Sequence, residues 1–369
     1  LIRSNRFGYL NRLLHVEILA MAQFSNLPVE LVDAILQALC LGCTPPEDDG
    51  CHTCYSPICC CSAGSPADNS RVAALAALCL TSRQLNSLAT VHLYHRPICD
   101  DRMALLARTL LARKDLALLV KDLRVGEVQF DPSQLDPETA AHFTRQFQAY
   151  QDGLSDDERE SAGPDRLPLG QNGQLSHESP VTIDIMSSLC PNLKTLHATL
   201  GYFEGFRLCT PQSMPHLQTV TISHSDTELG IDLATAIPLF RAAPNITRMA
   251  FYMIAGCSDL GGVTLDKVTS LDFQNSSFSS DALTLILTAF PNLETFKYEC
   301  GGASVGYDQF TLREAKAAFL AHAPKLNLVR LAAMDRTFDD LEWADDAAVR
   351  GLESALAARG TRLEFDRSW

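Results

Sequence analysis

The sequence predicts an α/β protein: a short N-terminal helical module, then an irregular solenoid of strand-plus-helix units. In such a solenoid the parallel strands line the concave face and the helices lie outside. Three observations predict this. Two N-terminal segments, Leu27 to Leu39 and Val72 to Ala89, place apolar residues at helical spacing but are too short to bury their own faces. Leu-x-x-Leu-like segments recur through the C-terminal half, several after a Pro at a fixed offset. Stretches rich in Cys, Pro, Gly, Ser and acidic residues separate these regions.

At 369 residues the chain exceeds one compact core, and 46% apolar content lets most of it fold. Its net charge of −14 excludes a nucleic-acid binder, which needs a basic stripe for phosphates. No run approaches the ~18 apolar residues of a membrane span. The apolar stretch Leu10 to Ala22 is interrupted by Arg12, His15 and Glu17. Seven of the 13 cysteines fall between Cys40 and Cys61, and the others sit in apolar contexts such as Leu78-Cys79-Leu80. Scattered buried thiols point to a reducing compartment, the cytoplasm or nucleus. Residues 1–23 read as an extension upstream of the natural start, because Met21 stands just before Phe24-Ser25-Asn26-Leu27-Pro28.

The first helix is predicted from Asn26 or Leu27, with Pro28 in a first turn where its missing N–H costs nothing. Leu31, Ile35, Leu36 and Leu39 continue it, and Gly42 stops it ahead of Pro45-Pro46. A Cys-rich loop occupies 41–71. One helix is predicted over Val72–Ala89, and Leu93-Tyr94 closes a module spanning 24–98. In the second domain, 99–369, an amphipathic helix over Arg102–Leu118 precedes a strand over Leu119–Val125. A helix over Pro137–Tyr150 leads into an acidic insertion, about 151–180, with too little apolar content to order itself.

The repeats then begin: Leu193-Lys194-Thr195-Leu196, Leu217-Gln218-Thr219-Val220, Ile246-Thr247-Arg248-Met249, Val268-Thr269-Ser270-Leu271, Leu293-Glu294-Thr295-Phe296 and Leu328-Val329-Arg330-Leu331. Pro191, Pro215, Pro244 and Pro291 precede four of them. Anchors 196, 220, 249, 271 and 296 are 24, 29, 22 and 25 residues apart. That spacing fits the roughly 20–29-residue period of leucine-rich repeats. Asp281–Leu287 and Glu314–Ala321 supply intervening helices. Residues alternating with the core positions would line the concave sheet: His197, Thr199, Thr221, Ser223, Arg248, Tyr252, Asp272, Gln274, Lys297 and Glu299. Their mixed charges and hydroxyls suit a protein segment better than an apolar ligand. Tyr252 is the best anchor, since Tyr is enriched at hot spots.

Leu27-Pro28, Glu30-Leu31, Ile35-Leu36, Ser82-Arg83, Leu85 and Leu93-Tyr94 resemble an F-box, the helical module that joins a substrate receptor to an SCF ubiquitin ligase. The likeness extends through Leu93-Tyr94-His95-Arg96-Pro97-Ile98, Leu105–Arg113 and Leu119–Leu123, in the manner of receptors abundant in fungi. Leu85 stands where many F-boxes carry an aromatic residue, and Thr81 where Val is frequent. The resemblance implies an SCF adaptor as partner and, through it, a cullin scaffold. Leu27, Pro28, Leu31, Ile35, Leu36, Leu78, Ser82 and Leu85 would then bind the adaptor, each buried apolar side chain contributing about 1.5–3 kcal/mol before entropic costs. The repeats would hold a protein target of unspecified identity, and the chain would carry no catalytic residue.

Two rival chemistries remain open, and a third reading keeps the repeats as a binding scaffold with no ligase partner. Cys40-x2-Cys43-x7-Cys51-x2-Cys54 has the paired C-x-x-C turns of a four-thiolate zinc site, with His52 and Cys59 to Cys61 as spare donors. Otherwise no cofactor is expected, and Cys40 follows Leu36 at i+4, on the helix's apolar face. Gly302-Ala303-Ser304-Val305-Gly306 matches the G-x-S-x-G of a serine hydrolase. That elbow needs a helix at once after Ser304, whereas Thr311-Leu312-Arg313-Glu314 reads as a capping box that starts the helix later.

Overall fold

Pro28 and Ser82 set two helix starts in the N-terminal region. The computed structural model describes residues 27–41, 43, 66–97, 103–126, 131–154, 169, 175, 181–200, 205–224, 230–301, 309–333, 343 and 345–366. The extension 1–23, Cys51, Cys54 and Ser304 lie outside them. The chain divides into two compact units, one holding the described residues up to Pro97 and the other those from Met103.

The described part of the first unit is helical: α1 (Val29–Leu39), α2 (Pro66–Cys79) and α3 (Arg83–His95). The Pro28 carbonyl accepts from the Leu31 and Val32 N–H groups at 3.0 and 3.1 Å, so the proline caps α1 rather than entering its first turn. The single helix expected over Val72–Ala89 is two. Ser82 adopts extended dihedrals and its hydroxyl accepts from the Leu85 N–H at 3.2 Å, a cap that begins α3 afresh. Asn86 Nδ2 donates across the break to the Cys79 carbonyl at 2.8 Å. Val32, Leu36, Leu75, Leu78, Leu85 and Ala89 form the core, flanked by half-buried Leu39, Cys79, Leu88 and Leu93.

The second unit opens with α4 (Met103–Ala112) and α5 (Lys114–Ala117) where one helix was expected; Arg113, at φ −121°, ψ 77°, breaks it. After β1 (Asp122–Val125) comes α6 (Pro137–Asp152), capped by Asp136. Within the acidic stretch that follows, Leu169 and Leu175 pair as an isolated antiparallel bridge, both buried.

The remaining elements are α7 (Thr182–Leu189), β2 (Thr195–Leu200), β3 (Thr219–His224), β4 (Ile231–Asp232), α8 (Ile237–Ala242), β5 (Arg248–Tyr252), β6 (Ile254–Gly256), β7 (Ser270–Ser276), α9 (Ser280–Ala289), β8 (Thr295–Cys300), α10 (Leu312–His322), β9 (Leu328–Ala333), α11 (Asp346–Ala357) and β10 (Arg362–Asp366). Eight strands form one open parallel sheet in the order β1-β2-β3-β5-β7-β8-β9-β10, while β4 pairs only with β6. The order follows the chain without reversal. It therefore lacks the switch-point crevice in which doubly wound sheets bind small ligands.

Register explains the sequence periodicity. Leu123, Leu196, Val220, Met249, Leu271, Phe296 and Val329 lie side by side in one buried row. The predicted anchors 196, 220, 249, 271 and 296 are thus neighbours. The sixth repeat is corrected by two residues: Phe296 pairs with Val329, so Leu326-Asn327-Leu328-Val329 is the equivalent phrase. A two-residue slip keeps the same face of a strand, which hid the error. The next inward row becomes aromatic, with Phe251, Phe273 and Tyr298 in register and Phe278, Phe310 and Trp343 packed over them.

Asparagines of the Pro-Asn turns bind adjacent repeats. Asn192, Asn245 and Asn292 donate through Nδ2 to the carbonyls of Leu118, Pro215 and Asp266 at 2.9, 2.7 and 2.7 Å. Each stands three residues before its strand and reaches a carbonyl four residues before the preceding one. A buried ion pair also holds α7. Asp184 Oδ2 accepts from Arg207 Nε and Nη2 at 2.9 and 2.7 Å, and its Oδ1 accepts from the Leu208 N–H at 3.2 Å.

Candidate functional site

Helical geometry divides the apolar residues of α1 between two faces. Val32, Leu36 and Leu39 follow one i, i+4, i+7 row into the core. Leu27, Leu31 and Ile35 follow the adjacent row outward: Leu27 is 37% and Leu31 52% exposed, and Ile35 is half-buried. Val29 is 48% exposed, and Leu80, on the α2–α3 turn, 88%. Pro28 is exposed, and Ser82 is exposed with its hydroxyl committed to the α3 cap. Leu36, Leu78 and Leu85 require a correction. All three are buried in the unit's own core, so they hold the helices together and offer no surface to a partner.

A second constellation lies at the other end of α1. Cys40 terminates the helix with extended dihedrals, and the Cys43 N–H donates to the Cys40 carbonyl at 3.2 Å. This turn brings both thiols to one side. On α3, His92 and His95 stand three apart on one face, in the last turn. Cys43 Sγ lies 3.7 Å from His92 Nδ1 and 3.4 Å from His95 Nδ1, and Cys40 Sγ lies 3.6 Å from His95 Nδ1. One donor atom from each of the four residues lies within 4.8 Å of every other. Cys40, His92 and His95 are buried and Cys43 is exposed. His92 Nε2 faces Asp33 Oδ1 at 3.4 Å, and Gln37 Nε2 donates to the other carboxylate oxygen at 2.7 Å. The donor set is compatible with zinc. It keeps Cys40 and Cys43 of the predicted thiolate quartet; Cys51 and Cys54 lie outside the described residues. Sequence reasoning missed His92 and His95, whose H-x-x-H spacing was the available signal.

The sheet's other face carries the residues predicted to line it. His197, Asp272 and Lys297 share one register row, Tyr252 and Gln274 the next, and Arg248 starts its own strand. All are half-buried except the exposed Arg248, and Glu299 on β8 is likewise half-buried. Thr221 and Ser223 are corrected: β3 is buried on both faces there, and Ser223 donates to the half-buried Thr199 hydroxyl at 3.0 Å. Tyr252 accepts from Asn275 Nδ2 at 3.3 Å. Asp272, Gln274, Lys297, Glu299 and Arg330 border a hollow of about 170 Å³. Lys297 Nζ lies 3.7 Å from Asp272 Oδ2. Burial pushes the Asp272 carboxyl above its ordinary range, with Lys297 opposing; burial and then the Asp272 charge push Glu299 the same way. The hollow presents both charge signs.

Thr311 and Glu314 form the reciprocal capping box, so α10 starts at Leu312. Among the described residues no helix is long and apolar enough to cross a membrane. No family model matches the chain, and no curated protein does.

Proposed function

We propose that this chain is the substrate-recognition subunit of an SCF-type ubiquitin ligase, built from an F-box-like helical unit and a leucine-rich-repeat-like unit. The first docks on the ligase adaptor and the second holds a protein target. One observation carries the reading. The row Leu27, Leu31 and Ile35, in the Leu-Pro-x-Glu-Leu phrase that resembles the F-box, points away from a core that is complete without it. The sheet supports the second half, because its mixed charges, hydroxyls and Tyr252 suit a peptide chain. The chain contributes proximity rather than chemistry: it lengthens the time a target lysine spends near the charged ubiquitin carrier.

The burial of Leu36, Leu78 and Leu85 favours a second reading, in which the helical unit is self-sufficient and the repeats form a binding scaffold without ligase partnership. A pull-down of purified adaptor with the full chain separates the two. Retention of adaptor by wild type and its loss in Leu31→Asp/Ile35→Asp supports the receptor. Failure of wild type to retain adaptor leaves the scaffold.

A further inference from the structure

We propose that Cys40, Cys43, His92 and His95 bind one structural Zn²⁺, which clamps the C-terminal end of α1 to the last turn of α3. The inference does not depend on adaptor binding.

The geometry is the first argument. With Zn–S near 2.3 Å and Zn–N near 2.0–2.1 Å, a tetrahedral centre separates sulfur from nitrogen by about 3.6 Å. The three sulfur–nitrogen separations here are 3.4, 3.6 and 3.7 Å. Cys43 meets both imidazoles and His95 meets both thiols, so the contacts converge. Thiol–imidazole hydrogen bonding alone gives no such closure, because a thiol has a single proton to donate.

Charge is the second. Two thiolates and two neutral imidazoles cancel the two charges of zinc, and a neutral complex suits a site where three of the four ligands are buried. Binding releases one proton from each cysteine to solvent. The Cys40 thiol, 3.4 Å from the His92 carbonyl, loses that hydrogen bond when its proton leaves. Two sulfurs and two nitrogens in a tetrahedron select zinc over the harder divalent ions.

The surrounding groups are the third. His92 turns Nδ1 to the cluster and Nε2 to Asp33, whose other oxygen is held by Gln37 one turn along α1. A carboxylate behind a ligating imidazole orients the ring and raises its basicity. Four protein donors leave no open position for water, so the centre is structural rather than catalytic. The unit gains from such a clamp. Its core is six side chains, one of them alanine, and small units with few buried residues depend on staples.

The test uses the full chain, purified without chelator. Plasma mass spectrometry should find one zinc per chain. Replacing zinc with Co²⁺ should give the visible absorption of a tetrahedral two-sulfur, two-nitrogen centre. Cys43→Ser changes an exposed ligand, and His95→Ala a buried one; each should lose the metal, while Cys51→Ser/Cys54→Ser should keep it. Alkylation of the wild-type chain keeps the proposal falsifiable should a variant misfold. Zinc should protect Cys40 and Cys43, and chelation should expose both, with buried Cys190 and Cys300 as internal references. Zinc far below one equivalent together with zinc-independent alkylation overturns the proposal. So does metal loss in Cys51→Ser/Cys54→Ser with retention in His95→Ala.

Discussion

Leu31→Asp separates docking from folding because of where Leu31 sits. It is 52% exposed and occupies the first turn of α1. Full burial of a leucine contributes about 1.5–3 kcal/mol, so losing the covered half costs the fold roughly 0.8–1.5 kcal/mol. A carboxylate in the first turn recovers about 0.3–1 kcal/mol from the helix dipole. Net loss of stability is therefore under ~1.2 kcal/mol. At an adaptor interface the exposed half of the leucine contributes a similar ~0.8–1.5 kcal/mol, and an unpaired carboxylate adds a desolvation cost of several kcal/mol. At about 1.4 kcal/mol per tenfold, adaptor affinity should fall more than ~100-fold. Leu36→Ala is the opposite case. Leu36 is fully buried, and emptying its site costs about 3–5 kcal/mol, comparable to the whole stability of a unit this small. Titration calorimetry with purified adaptor, alongside thermal melting followed by circular dichroism, measures both quantities. Wild-type affinity in a wild-type-stable Leu31→Asp chain would refute the outward row as the docking face.

In the second unit, Asp184→Asn leaves Arg207 buried beside a neutral group and should cost about 3–5 kcal/mol in chemical denaturation; a loss below ~1 kcal/mol would show that water screens the pair. Asn292→Ala removes the bond to the Asp266 carbonyl, and Asn245→Ala that to Pro215; each should cost about 0.5–1.5 kcal/mol by the same measurement, and no change in either would deny the turns a role in joining repeats. Burial raises the folded pKa of Asp272 above its unfolded value, so the folded state holds the extra proton between the two values and stability falls as pH rises through that interval. Asp272→Asn should then exceed wild type in stability at neutral pH, with the gap closing below about pH 4; the reverse trend would mean that Lys297 outweighs burial.

Local chemistry was legible in the sequence where the causes are local. The capping box at Thr311 and Glu314, Asp136 ahead of α6, and the Pro-Asn turns before strands each act within a few residues. The anchor spacing at 196, 220, 249, 271 and 296 was legible because every strand repeats one inward row. Two strands, β1 and β10, escaped the repeat because long or irregular segments separate them from their neighbours. Ser82 was visible but read only as part of a helix; its extended backbone, needed to cap α3, is a choice the apolar spacing does not reveal. The inward and outward rows of α1 carry equally apolar residues, so only packing distinguishes Leu31 from Leu36. The histidines of the cluster lie about 50 positions beyond the cysteines, a distance that only the folding of α3 against α1 closes.

The chain-order sheet bears on how the protein is made. From β2 onward each strand's partner is the one synthesised just before it, at register separations of 24, 29, 22, 25, 33 and 34 residues. A strand emerging from the ribosome thus finds its template already laid down, and ordering can keep step with translation. Only β1 must wait, its partner arriving 73 residues later.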